Sequence, residues 1–341
     1  MKKLLLGILI CAFLVGSSLF VVDKAACETI NLKFAHFMSP KHIQHQKSFA
    51  PFCEKVDEIS GGKVKIKIYP AGQLAGAKQL ADAIKTGITD IGFVIPSYTT
   101  GRFPRTSALD LPFLFDTGVN AARAFYDLFD GYMADDYKDY RVLWLYATGP
   151  GQFMSATKPM KTIDDLNGMK LRTPSAYMTK ALKLLDVNPV GMPIPKLAMS
   201  LQKKVIDGCV TPFSAVTDFR LFDLVESITE ANLYTTPMTV LMNKQKYNAL
   251  PDYAKKAIDL ASGKPCGFHA ADVYDQHDTN TVLEINKRGK ITIYKLSPSE
   301  KAKMAEKLAV MQSNWIEEWS KRGIPADRIM SAVNRASNRY K

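Results

Sequence analysis

The chain has 341 residues, 47% of them hydrophobic and 23% charged, with a formal net charge of +12. That balance is ordinary for a soluble globular protein, and the length suits two domains of roughly 100–200 residues each. Past the N-terminus no run is long and apolar enough to span a bilayer. The lysines and arginines are spread along the chain and form no nucleic-acid motif, so no nucleic-acid partner is expected.

Lys2 and Lys3 precede an apolar run that ends at Val22, with Ala25 and Ala26 after it. This is the pattern of a cleaved secretory signal peptide over residues 1–26, with an uncleaved membrane anchor as the competing reading, and export to the periplasm is expected. Cleavage would remove three lysines and one aspartate and leave a charge of +10. Cys27 hints at a lipoprotein box, but Lys24 stands where an apolar residue is wanted. Cys27, Cys53, Cys209 and Cys266 show neither a CxxC pair nor metal-like spacing, so free thiols are expected.

The mature chain opens on an alternating strand, INLKFAHF. A helix is expected from Ser39-Pro40 to about Ser60, with Phe49, Phe52, Val56 and Ile59 on one face. KVKIKIYP is a second strand, closed by Pro70. A loop and helix follow, and then DIGFVIP, a continuous apolar run that reads as a buried central strand. Strand, helix, strand, helix, strand marks a largely parallel α/β sheet. The Pro- and aromatic-rich stretch SYTTGRFPRTSALDLPFLFD reads as a long ordered loop. AARAFYDLFDGYMADDY reads as a helix, RVLWLYAT and GQFMSAT as strands, and KTIDDLNG as a turn with a short helical piece.

GMKLRTP reads as a strand stopped by Pro174, which has no N–H to donate. Arg172 therefore sits where a strand ends and a helix, Ser175 to Leu185, begins. Ligand crevices of open α/β sheets lie outside the carboxyl ends of strands, and a guanidinium there matches a carboxylate as a planar fork of donors. NPVGMPIP is then a crossing segment, followed by a helix (KLAMSLQKKV) and a strand (IDGCVTP). MTVLMN is a strand, Lys244 to Leu250 a short helix, and a long helix runs from Pro251 past His277. KITIYKL is a last strand, and Ser299 to Tyr340 is mostly helical, with Trp315 and Trp319 packing on one face.

Ile84 to Pro96, IKTGITDIGFVIP, echoes Leu201 to Pro212, LQKKVIDGCVTP. Each joins a helix end, an Asp six residues after an apolar helical residue, a short strand and a proline. The echo suggests two lobes built alike, each delivering a strand end to a shared cleft.

The pieces VKIKIYPAGQLAG, LDLPFLF, SATKPMKTIDDLNGMKLRTP and LQKKVIDGCVTP, followed by MNKQKYNALP, resemble in this order the extracytoplasmic solute-binding subunits of TRAP transporters. The resemblance covers nearly the whole mature chain. It implies an α/β, two-lobed periplasmic-binding-protein-like fold whose lobes are mixed, largely parallel sheets flanked by helices, with a ligand cleft between them. The expected division is 28–149 plus 237–277 for lobe I and 150–236 plus 278–341 for lobe II. In the family the Arg of GxKxRxP grips a carboxylate, and Arg172 occupies that place. A second family Arg falls here on Gln152, and a family Asn falls on Thr211. One positive charge is thus missing, which favours a monocarboxylate over a dicarboxylate. Phe37, Phe93, Ile95, Ile194 and Phe213 are the other expected cleft positions, and their apolar character suits an apolar or aromatic ligand body. The implied partners are a small organic acid and the small and large membrane subunits of the transporter, with the binding protein itself a monomer.

No GxSxG, Walker loop or HExxH occurs, and no catalytic residue, metal site or cofactor is expected. His36, His42 and His45 lie close together in sequence; His42 and His45 share a helix face, where two solvated side chains near the cleft are the ordinary reading and a metal-binding pair the rare one. His269 and His277 read as ordinary helix residues. The rival readings are a ligand-sensing module of the same fold and a carboxylate-processing enzyme.

Overall fold

A computed structural model describes residues 29–341. The signal-peptide and Cys27 expectations therefore lie outside the described residues. Two sheets organise the rest. The first has strand order β2-β1-β3-β10-β4, with β1 Ile30–Ala35, β2 Val64–Tyr69, β3 Ile91–Val94, β4 Tyr140–Ala147 and β10 Pro237–Asn243. The second has order β11-β9-β5-β8-β6-β7, with β5 Gln152–Ser155, β6 Lys170–Thr173, β7 Asn188–Gly191, β8 Gly208–Thr211, β9 Ser227–Glu230 and β11 Thr292–Lys295.

The two sheets repeat one plan. In the first, β3 runs parallel to β1 and antiparallel to β10. In the second, β8 runs parallel to β6 and antiparallel to β5. The echoed aspartates do the same work in each. Asp90 accepts the backbone N–H of Lys33 at 2.7 Å, and Asp207 accepts that of Lys170 at 2.8 Å. A carboxylate entering each strand thus satisfies an amide of its parallel neighbour, the kind of orphan donor a buried sheet must not leave unpaired.

Two strands escape the sequence reading. β7 contains Pro189, and the ladder tolerates it because β7 is an edge strand. β9, only four residues long, pairs with β5 and β11. Two helices differ from expectation. The first begins at about residue 43 through a wide turn, His45–Phe49, before regular helix Ala50–Ile59. The long helix past Pro251 is two helices, Asp252–Leu260 and Lys264–Arg288. They break at Gly263, whose φ of 82° lies in the left-handed region that favours glycine.

The chain crosses between sheets at residues 148–151 and 231–236, and the two crossings bond to each other. Thr148 N donates to Thr236 O at 3.1 Å, and Gly151 N to Tyr234 O at 2.7 Å. Helix Lys264–Arg288 braces the crossing. Its Asp275 caps helix Gly118–Leu128 by accepting from Gly118 N and Val119 N, and its Asp278 accepts from Ser214 N. We propose that the lobes follow the sheets. The last helix, Ala326–Tyr340, packs both on helix Gly118–Leu128 of the first sheet's side and on the preceding tail helix, Val310–Ser320, where Gln312 and Asn334 bond to each other. Trp315 and Trp319 are buried and donate to Ser107 Oγ and Tyr177 OH respectively. Cys53, Cys209 and Cys266 are free thiols.

Candidate functional site

The carboxyl ends of strands from both sheets meet at one cleft, holding about 500 Å³ of empty space with its solvent-open part included. From the first sheet come Phe37, Phe93, Ile95 and Tyr98; from the second, Arg172, Ile194, Thr211 and Ser214; the crossings add Thr148, Tyr234 and Thr236. Its walls are mostly apolar, and a few polar groups converge inside, as in most small-molecule sites.

Arg172 is 1% exposed. Its Nε donates to Met192 O at 2.9 Å and one Nη donates to Tyr98 OH at 3.3 Å. No carboxylate among the described residues pairs with it. A buried guanidinium without a counter-ion is costly, and three of its five donors remain for an anion. Tyr98 reaches it from the other lobe. The phenol oxygen accepts from Arg172 and from Ile194 N at 3.0 Å, which leaves its own proton to donate into the cleft.

Six of the expected residues line the cleft: Arg172, Thr211, Phe37, Phe93, Ile95 and Ile194. Two do not. Gln152 is consumed by the crossing: its Oε1 accepts from Ala231 N and Asn232 N, and its Nε2 donates to Pro150 O and Asn232 Oδ1. Phe213 is buried outside the lining because the chain turns directly after Pro212, with Ala215 N bonding back to Pro212 O. Tyr98 and Ser214 went unnoticed in the sequence. The echo held the signal: each stands two residues after the proline that ends its strand.

His42, His45 and His277 also differ from expectation. His36 Nε2 lies 2.8 Å from His45 Nδ1, and His36 is wholly buried, so burial with two neighbouring histidines lowers its pKa to about 3. His42, 2% exposed, lines the cleft, and burial lowers its pKa to about 4 against the pull of Asp218. His277 is no ordinary helix residue: its Nε2 lies 3.3 Å from Asp218.

The cleft mouth is basic. Exposed Lys78, Lys180, Lys183 and Lys196 line the two grooves that open on either side of the Gly191–Pro193 segment. Such a rim raises the arrival rate of anions and is screened by salt. Lys78→Glu with Lys183→Glu is expected to slow ligand association several-fold at low ionic strength, with little change in dissociation, as stopped-flow fluorescence would measure. An equal slowing at high salt would contradict this.

Asp110, in LDLPFLF, is wholly buried and neither carboxyl oxygen has a partner within hydrogen-bonding geometry. Burial pushes its pKa up to about 7, with Ser175 pulling the other way. The folded state therefore binds this proton more tightly than the unfolded chain does. Its contribution favours folding increasingly as pH falls from about 7 towards 4. His36 and His42 act oppositely, being held neutral, so they withdraw stability as pH falls below 6.5. Comparison with Asp110→Asn isolates the one group. The variant is expected to melt a few degrees above wild type at pH 8 and level with it at pH 5. A pH-independent difference would contradict the assignment.

Residues 34–318 match the family model DctP, bacterial extracellular solute-binding protein, family 7. A marine metagenome TRAP solute-binding protein specific for aromatic acid ligands, solved with 3-hydroxybenzoate, is 35% identical with a TM-score of 0.88, over 92% of this chain and 99% of that one. One from Rhodoferax ferrireducens T118, solved with copurified benzoate, is 33% identical with a TM-score of 0.87, over 92% and 98%. The 2,3-diketo-L-gulonate-binding periplasmic protein YiaO of Escherichia coli K12 is 26% identical over 73% of this chain and 76% of its own. With its two mirrored sheets, a cationic cleft at their strand ends and this match over most of its length, the chain belongs to the family 7 bacterial extracellular solute-binding proteins.

Proposed function

We propose that this protein captures an aromatic or otherwise apolar monocarboxylate in the periplasm and delivers it to the small and large membrane subunits of a TRAP-type transporter. The observation that carries the reading is the buried, carboxylate-free Arg172 in an apolar cleft. The ligand carboxylate takes the guanidinium donors and the Tyr98 hydroxyl, and its body lies among Phe37, Phe93, Ile95 and Ile194. A sugar acid would bring more hydroxyls than the few polar groups among these mostly apolar walls can bond, each unpaired one at a desolvation cost. Support also comes from the two solved relatives with benzoate and 3-hydroxybenzoate.

The energetics require both parts. Micromolar affinity is about 8 kcal/mol, and one charge-assisted hydrogen bond contributes about 1.5–3 kcal/mol. The remainder comes from apolar burial at about 25 cal/mol per Å², which lobe closure about the bonded crossings would complete. The site binds without turnover. Mass spectrometry of the small molecules that co-purify, followed by thermal shift with a carboxylate panel, tests the reading. Stabilisation by aromatic monocarboxylates supports it, since ligand at about 100 times Kd adds about 2.7 kcal/mol. Stabilisation by dicarboxylates or sugar acids alone contradicts it.

A further inference from the structure

The cleft has a second polar end, which the carboxylate-binding end does not use. Asp218 and His42 both line it. The Asp218 side chain is 4% exposed and has three contacts, with Ile43 N, His42 Nε2 and His277 Nε2, each at 3.3 Å. All three exceed the 2.7–3.2 Å range of a good N–H···O bond. A carboxylate accepts at about four positions, so this buried group is under-bonded where it faces the ligand space.

Its neighbours fix what it can accept. Gln44 N donates to His42 Nδ1 at 3.1 Å. His42 is held neutral, so its single proton lies on Nε2, aimed at Asp218. His277 brings a second imidazole to the carboxylate, at 3.3 Å; burial pulls its pKa down, but Asp218 raises it overall. The apolar, aromatic surroundings of this end suit an uncharged donor, since an ammonium group would cost far more to strip of water there. It also stands apart from Arg172. The two charges share the cleft, yet no ion pair joins them, and they have no hydrogen-bonding partner in common. An aromatic wall connects the two ends, with rings about 5–6 Å apart from Tyr98 through Phe37, Phe93, Tyr146 and Tyr274 to His42.

We propose that Asp218 accepts a hydrogen bond from a ring hydroxyl of the ligand, so that the solute this cleft selects is a hydroxylated aromatic carboxylate. The inference rests on the ligand class proposed above and adds the residue that discriminates within it. Arg172 fixes the carboxylate end. Asp218 repels a second carboxylate at the other end and rewards a donor there.

The test uses full-length mature protein, freed of bound solute by unfolding and refolding, and calorimetric titration with benzoate, 3-hydroxybenzoate, 4-hydroxybenzoate and 3-methoxybenzoate. At least one hydroxybenzoate is expected to bind about 10-fold or more tighter than benzoate, since its hydroxyl meets a charged acceptor. The methoxy compound, of similar shape but without the donor, is expected to gain nothing. In Asp218→Ala the ratio of hydroxybenzoate to benzoate affinity is expected to shrink below about threefold. Equal binding of benzoate and both hydroxybenzoates to wild type, or an advantage kept in Asp218→Ala, overturns the proposal. Should Asp218→Ala fail to fold, the hydroxyl-against-methoxy contrast in wild type decides alone. No binding of any of the four to wild type refutes the ligand class itself and this inference with it, an outcome distinct from equal binding.

Discussion

Arg172→Ala is expected to weaken binding of an aromatic carboxylate by at least about 100-fold, while the ligand-free protein stays folded. Truncating one member of a desolvated charge pair costs about 2–5 kcal/mol, much of it from the partner left unpaired. Here the stranded partner is the ligand carboxylate in an apolar cleft. Without ligand the same substitution removes a buried cation that, among the described residues, only Met192 O and Tyr98 OH satisfy, so the melting temperature is expected to hold or rise. Arg172→Lys keeps the charge but loses the planar fork, and is expected to fall between alanine and wild type. Calorimetric titration measures the affinities, and thermal unfolding without ligand measures the fold.

The second large effect falls on stability. Gly208 lies in β8 between β5 and β6, opposite Ser155 and Leu171. A Cβ built there would overlap the carbonyl oxygen of Met154 and approach Leu171 Cδ2 to 3.0 Å. The first obstacle is backbone in the middle of a sheet and cannot swing aside as a side chain would. Gly208→Ala is therefore expected to cost about 3 kcal/mol or more, which for a chain of more than 300 residues is roughly 4–5 °C in melting temperature. The strand it would displace holds Cys209 beside Arg172, so ligand affinity should fall too. Gly131→Ala, where a Cβ meets nothing within 4 Å, is the control and should stay close to wild type. A Gly208→Ala protein as stable as that control would contradict the packing argument.

The long elements were legible because their patterns are regular. Alternation in VKIKIY, the continuous run IGFV and the stop at Pro174 each mark a strand with a physical reason behind it. β7 was hidden because proline argues against a strand, and only its position at the sheet edge lifts the objection. The break at Gly263 was hidden because a single glycine in a helical pattern is tolerable in sequence.

For the site, Arg172 and five other lining residues followed from strand ends and the family motif. Gln152 did not, because its amide satisfies backbone groups of a crossing 80 residues away in sequence. Tyr98, His42 and Asp218 come from a single 3-10 turn, a helix start and a one-turn helix. Nothing in local periodicity tells which of their faces looks into a cleft assembled from distant segments.

The most direct test of the central claim is a crystal structure of the protein with its aromatic carboxylate bound. The carboxylate is expected within about 2.7–3.1 Å of the Arg172 guanidinium, with the Tyr98 hydroxyl donating to it and the ring among Phe37, Phe93 and Ile194. A ligand whose carboxylate lies elsewhere, with Arg172 making no contact to it, would contradict the account.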